Sequence, residues 1–232
     1  MQTRMRDVMI EGDFRQAYAG YTFDRYLYGI GFMKFPDYQR RVEVVHSGKG
    51  AKREWVVKPW FRHVEVLDFY PIADAKDLQT NTGNTEYTYV TKAELISMAL
   101  QKEYSRDQIE KIIDDYAYTN RNWLDKPESA ERASWWGLDD TIPLLIHEGF
   151  FSGGELADHG ITGVDALDYV NARVEVCGNR TIRCELIGMP GGAERTYFGA
   201  PHIKTGSNLY DVLGLGAQLY DTEQRCLSLI HI

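Results

Sequence analysis

The sequence predicts an α+β fold. Three observations carry that expectation. Apolar runs of strand length come in pairs around glycine-rich turns. Short stretches with helical spacing open on capping boxes. The two kinds of segment follow one another without regular β-α-β alternation. The chain has 232 residues, 44% hydrophobic and 26% charged, which suits a folded protein with a substantial core.

The elements are read in chain order. Met5, Val8 and Met9 share a helical face that ends at Gly12. Phe14, Ala17, Tyr18 and Tyr21 carry a second helix to about Tyr28, where Gly29 and Gly31 break it. Ile30 to Phe35 is expected to be a strand stopped by Pro36. Arg41 to Val45 and Glu54 to Val57 flank Ser47-Gly48-Lys49-Gly50 as a hairpin. Phe61 to Leu67 reads as a further strand, and Pro71 turns the chain by fixing its own φ. Asp77 to Thr85 is a polar loop before a short strand, Glu86 to Val90.

Thr91 and Glu94 form a capping box before Leu95, Ile96 and Ala99. Ser105 and Gln108 form a second, before Ile109, Ile112, Ile113 and Tyr116 at i, i+3, i+4, i+7. Tyr118 to Ser134 is polar and reads as a surface linker. Ile142 to Phe151 is an apolar strand ended by Gly153-Gly154. One helical turn is expected from Glu155 to His159, and another from Val164 to Tyr169, capped by Thr162. Ala172 to Val176 and Thr181 to Ile187 flank Gly178-Asn179-Arg180 as a hairpin. Pro190-Gly191-Gly192 is a turn, and Tyr210 to Arg225 reads as a helix start interrupted by Gly214 and Gly216.

Charge and cysteine content narrow the function. The net charge is −8, which is not the basic excess of a tight nucleic-acid binder. The densest basic run, Arg40, Arg41, Lys49, Lys52, Arg53, Lys58 and Arg62, is expected to be a solvated hairpin face. An acidic chain can still surround DNA if the DNA must slide. Three cysteines do not make a disulfide framework and suit a reducing cytoplasm. Cys177 and Cys184 could face one another across their hairpin. With no second Cys/His pair nearby, two buried thiols are the favoured reading over a metal pair. No window approaches 18 apolar residues, so no membrane span is expected.

No motif amounts to an enzyme signature, and no cofactor or metal is expected. His147-Glu148 resembles half of a zinc-protease helix motif, but Phe151 stands where the second His belongs. Gly214-Leu215-Gly216 opens like a dinucleotide loop, but Leu219 stands at the third glycine position. Ser152, Asp158 and His159 lack a nucleophile elbow. Asp107, Glu110, Asp114 and Asp115 read as a solvated helix face. Asp68 and Asp74 flank Tyr70-Pro71 and read as turn caps rather than a paired acid site.

The ordered series of these segments resembles the portal proteins of podovirus-type tailed phages, also called head-to-tail connectors. Arg6-Asp7-Val8 through Gln16-Ala17 is similar to that family's helix, glycine break and second helix. Tyr28 through Pro36 is similar to the strand that follows. Lys58-Pro59-Trp60 through Val64, Asp68-Phe69-Tyr70-Pro71 and Ala73-Asp74-Ala75 are the sharpest matches. The helices at Thr91 and Ile109, the Ile142 strand and the Cys177 to Cys184 hairpin follow in the family's order. Asp221-Thr222-Glu223-Gln224 resembles the lead into a helix. Tyr118 to Ser134 and the Gly206 to Asp211 spacing depart from the pattern. The resemblance marks Pro59, Asp68, Tyr70, Pro71, Asp74 and Gln224 as structural positions.

The resemblance implies a structural subunit, not an enzyme. Such proteins form a dodecameric ring at one capsid vertex, through which double-stranded DNA is packaged and ejected. Terminase, capsid or scaffold proteins and tail adaptors are the implied partners. The implied location is the virion, with assembly in the host cytoplasm. The chain is expected to be the wing-type α+β part, residues 1–226, with most channel helices outside it. Leu227 to Ile232 match what a sequencing-library transposase end encodes in one frame, so 227–232 are expected not to be native. Two other readings stand beside this one. One is a metal-dependent hydrolase using His147 and Glu148; the other is an aromatic-rich protein-binding module.

Overall fold

The computed structural model describes residues 2–47, 50–72, 75–118, 141–187, 195–215 and 217–220. It is an α+β fold in which the strand pairings among the described residues are antiparallel. The chain divides into two compact units. The first draws on Met1–Leu67, Asp74–Thr80 and Thr196–Ile232, the second on Asp68–Ala73 and Asn81–Arg195.

The first unit opens with α1 (Gln2–Glu11) and α2 (Phe14–Leu27). Asp13 takes a left-handed conformation between them, so the break falls at Gly12-Asp13, as the sequence predicts. β1 (Ile30–Ser47) and β2 (Gly50–Val64) form a long hairpin with Ser47 opposite Gly50. Two expectations are corrected here. Pro36 does not stop β1: the register shifts between Lys34 and Asp37, and the irregularity absorbs the missing N–H. The segments Glu54 to Val57 and Phe61 to Leu67 belong to a single strand, β2, as far as Val64. Pro59 lies inside it opposite Tyr38.

Three chain segments supply the first unit, and its third strand comes from far along the chain. β8 (Tyr197–Pro201) pairs with Ile30 to Lys34 of β1, giving the order β2-β1-β8. Ile30, Phe32, Val64, Leu78 and Tyr197 are buried in this unit. Lys34 is fully buried as well. Its Nζ donates to the Tyr197 hydroxyl at 3.2 Å and lies 4.7 Å from the centre of that ring. Val212–Leu213 (β10) pairs with Ile203–Lys204 (β9), where the sequence pattern predicts the start of a helix. Among the described residues, Leu215 and residues 217–220 are helical.

The second unit is a five-stranded sheet in the order β3-β4-β5-β6-β7. Its strands are Phe69–Pro71, Gly83–Thr91, Thr141–Ser152, Tyr169–Cys177 and Arg180–Leu186. Pro71 is tolerated because β3 is an edge strand. Two helices, α3 (Lys92–Ala99) and α4 (Arg106–Tyr118), cover part of one face. Val90, Ile142, Leu144, Ile146, Cys177 and Ile182 from the sheet pack there with Leu95, Ile109 and Ile112 from the helices. Each such side chain contributes about 1.5–3 kcal/mol on full burial. The helical spacing of Ile109 and Ile112 is therefore what docks α4.

The Thr91 capping box forms as the sequence predicts. A second box forms where none was read: Ser152 caps the six-residue helix α5 (Gly153–Asp158) and Glu155 closes it. The helix expected from Val164 to Tyr169 is absent. Gly163 has φ +95°, and the Asp165 carboxylate accepts from Leu167 N–H at 3.1 Å. This local turn replaces helical bonding. The loop carbonyls of Asp168 and Ala166 accept the N–H groups of Gly153 and Gly154. The Cys177 and Cys184 thiols do not face one another. A register shift between Glu175 and Val176 sets Cys184 opposite Val174, while Cys177 pairs with Arg180. Both are free thiols, Cys177 buried in the core and Cys184 half-buried. Pro190-Gly191-Gly192 and most of the Tyr118 to Ser134 linker lie outside the described residues.

Candidate functional site

Chemistry-bearing side chains concentrate in the second unit, on the sheet face that also carries the apolar core. Along β5 the buried positions alternate Ile142, Leu144, Ile146, and the fourth in that row is Glu148, fully buried. The register sets Glu148 beside Arg173 of β6 and Ile146 beside Glu175. Glu175 in turn stands beside Arg183 of β7, and Arg173 beside Glu185. The face is thus apolar under the helices and ionic beyond them.

The ionic half is built from mutual pairs. Arg173 Nε lies 3.0 Å from Glu175 Oε1, and its NH1 lies 4.0 Å from Glu148. Arg183 reaches Glu175 at 3.2 Å and Glu185 at 2.6 Å. The Tyr104 hydroxyl donates to Glu175 Oε2 at 3.2 Å and accepts from Arg183. Burial, and then the Glu175 carboxylate, push the Tyr104 phenol up to about 12. It therefore serves as a fixed donor, not as a base near neutral pH. Arg195, also fully buried, donates twice to Asn171 Oδ1, at 3.2 and 3.1 Å, and once to Asn81. Its guanidinium lies 5.2 Å from the centre of the Phe150 ring. Asn81 itself donates to Asn84 at 2.6 Å.

This arrangement neutralises buried charge. Taking such groups from water costs several kcal/mol per ion unless partners restore the lost hydrogen bonds. Here each guanidinium has a carboxylate or amide within reach. The cluster fixes strand register and offers no nucleophile set against a general base.

The residues singled out from the sequence are scattered. His147 and Glu148 are consecutive in β5 and lie on opposite faces, so they do not converge. His147 Nδ1 shares a hydrogen bond with Thr85 Oγ1 at 2.8 Å. Burial, with Arg195 nearby, holds the His147 imidazole below its usual range. Ser152 is occupied as a helix cap. Asp107, Glu110, Asp114 and Asp115 line the exposed side of α4, with Arg106–Glu110 and Lys111–Asp107 paired one turn apart. Among the described residues no three His, Cys, Asp or Glu are grouped to hold a metal ion.

Of the positions marked by the portal resemblance, Pro59 belongs to the first unit and Asp68, Tyr70 and Pro71 to the second. Pro59 sits half-buried in β2 of the first unit. Asp68 closes a 3₁₀ turn, Val66–Asp68, and Tyr70 and Pro71 follow in β3. Tyr70 is exposed opposite Thr85, and Pro71 is buried opposite Asn84. Asp74 and Gln224 lie outside the described residues.

The sequence reading missed Tyr104, Arg173, Glu175, Arg183 and Arg195. Alternation in Ala172-Arg173-Val174-Glu175-Val176 was the available signal, but it reads as a strand with one wet face. The first unit also holds a shallow cavity of about 190 Å³ beside Leu78, Tyr197, Phe198 and Leu209. That is small for a ligand pocket. Among the described residues no helix is long and apolar enough to cross a membrane. No family model matches the chain, and no curated protein matches it.

Proposed function

We propose that this chain is a structural subunit of a portal-type ring, a passive part of the conduit through which phage DNA is packaged and ejected. The observation that carries the reading is an open apolar face on α2. Phe23, Tyr26 and Leu27, at i, i+3 and i+4, are 66%, 48% and 44% exposed. Tyr18 and Tyr28 are exposed as well, on other sides of the helix. Exposed large apolar side chains grouped on one helix face favour association, since aromatic anchors dominate interface energetics. A ring subunit needs such a face on every copy.

Two further features favour the reading. The buried Glu148, Arg173 and Glu175 of the second unit are engaged with one another, which favours a structural role over a reaction pocket. The ordered portal-like segments run along most of the chain. In this reading terminase supplies the ATP-driven work, tail adaptors and capsid or scaffold proteins dock on the ring, and duplex DNA passes without sequence-specific grip.

Negative-stain electron microscopy and mass photometry of the 232-residue chain, over a concentration series, test the proposal. Annular or higher oligomers that dissolve in Phe23→Ser/Leu27→Ser are expected. A chain that stays monomeric at every concentration overturns it. So would stoichiometric zinc in the purified protein with hydrolytic activity lost on His147→Ala.

A further inference from the structure

Leu167 is the most exposed large apolar side chain among the described residues, at 87%. A lone surface leucine is ordinary. This one is held out by a built turn. Its own N–H donates to Asp165 Oδ1 at 3.1 Å, and the Asp168 N–H donates to the Asp165 carbonyl at 3.0 Å. The carbonyls on either side of it, those of Ala166 and Asp168, accept from Gly154 and Gly153 of α5 at 3.2 and 2.9 Å. Gly153 makes that seat possible, because a Cβ there would strike the Asp165 carbonyl. Tyr169 follows at 70% exposure. Residues 155–169 hold four carboxylates, Glu155, Asp158, Asp165 and Asp168, all exposed, and no Lys or Arg. The second unit thus presents an apolar knob on an acidic loop.

The first unit carries a socket of the opposite character. Its cavity of about 190 Å³ is on the scale of one side chain, not of a small-molecule ligand. Leu78, Phe198 and Leu209 give it apolar walls, and Lys76 and Lys204, both exposed, line it as well. Asp77 is also in the lining, but its carboxylate accepts from the Gln79 N–H at 2.7 Å and the Thr80 N–H at 3.2 Å and is held in its own turn. A small free carboxylate would use the lysines and leave the apolar walls unmatched. An aliphatic side chain flanked by carboxylates uses both, and Leu167 between Asp165 and Asp168 is such a group.

We infer that the Leu167 tip of one copy seats in the Lys76/Lys204 cavity of a second copy of this chain. This rests on the ring-subunit reading and names the contact that gives the association its direction. Tip and socket are different surfaces, so each copy offers one to either neighbour. Such a head-to-tail contact closes into a ring or runs on as a filament. The leucine supplies the anchor, and the opposed charges orient the approach and make it salt-dependent.

Sedimentation velocity of the whole chain at 50 mM and 500 mM salt provides the test, with Leu167→Ala, Asp168→Lys and Lys204→Glu as variants. All three side chains are exposed, so far-UV circular dichroism and thermal midpoint should match the parent. We expect Leu167→Ala to raise the concentration for half-association about tenfold or more at both salts. Asp168→Lys and Lys204→Glu should each weaken association at 50 mM salt and do so much less at 500 mM. Mixed one to one at 50 mM salt, these two variants should associate more strongly than either alone. The altered tip of one then meets the altered socket of the other with opposite charge. If the parent associates and Leu167→Ala associates equally well, the tip contact is refuted while the ring subunit survives. Loss in Leu167→Ala with no recovery in the mixture puts the tip on another surface and refutes the socket. If the parent never associates, both the contact and the ring subunit fall.

Discussion

At the scale of single residues, His147 shows how backbone and side chain constrain one another. Its imidazole lies across two glycines. A Cβ at Gly83 would come 2.6 Å from His147 Cε1, and one at Gly149 would come 2.6 Å from Nε2. The two substitutions should differ in cost. Gly83→Ala meets only the tip of a ring, which can swing aside by giving up the Thr85 bond. Gly149→Ala also meets the Thr82 carbonyl oxygen at 2.7 Å, which accepts from Phe150 N–H and cannot move alone. We expect Gly149→Ala to destabilise by about 2 kcal/mol or more and Gly83→Ala by less, within the overpacking range. Urea unfolding of both, alone and with His147→Ala, checks this. The His147→Ala background should relieve Gly83→Ala but not Gly149→Ala.

The same imidazole sets a pH dependence. Burial holds its folded pKa below the unfolded value near 6.5. The unfolded chain therefore takes up a proton before the folded one does. This contribution to stability is complete above about pH 6.5 and is lost as pH falls through the folded pKa. His147→Gln should flatten the slope of stability against pH below about 6.5. Tyr104 acts at the other end. Its pKa of about 12 makes its contribution complete below about pH 10, and it is lost as pH rises toward 12. Tyr104→Phe should remove that alkaline limb. None of this was legible in the sequence. A histidine in an apolar strand says nothing of the glycine on the neighbouring strand that makes room for it.

At the scale of elements, local signals were legible and long-range ones were not. The Thr91 box and the isoleucine spacing of α4 are local, and both appear as read. β8 is a strand because it finds β1, some 165 residues earlier, a pairing that no window of sequence contains. Pro36 misled for a related reason: a proline breaks a ladder only where its N–H is needed, and the register shift removes that need. Caps and cores should also separate by magnitude. Thr91→Ala removes one cap and should cost about 1 kcal/mol. Ile109→Ala opens a cavity in a fully buried site shared by sheet and helices, and should cost about 2–5 kcal/mol. Paired denaturation midpoints decide it. If Thr91→Ala costs as much as Ile109→Ala, helix α3 is held by its terminus and not by Leu95.

At the scale of the whole molecule, charge bears most directly on the conduit reading. Proteins that grip DNA do so by releasing counterions, and each neutralised phosphate adds close to one unit to the salt slope. In a chain of net −8 the densest basic run is Arg40 to Arg62. Binding of a labelled 30-base-pair duplex at 150 mM salt should therefore show no saturation up to about 100 μM, beyond the weak end of ordinary non-specific binding. At 50 mM salt it should strengthen only slightly, with a slope shallower than about −3. A micromolar affinity with a slope near −6 would mean that the six basic side chains of residues 38–58 are engaging phosphates. DNA would then be held where a conduit must let it slide, and the passive role assigned to this chain would have to be given up.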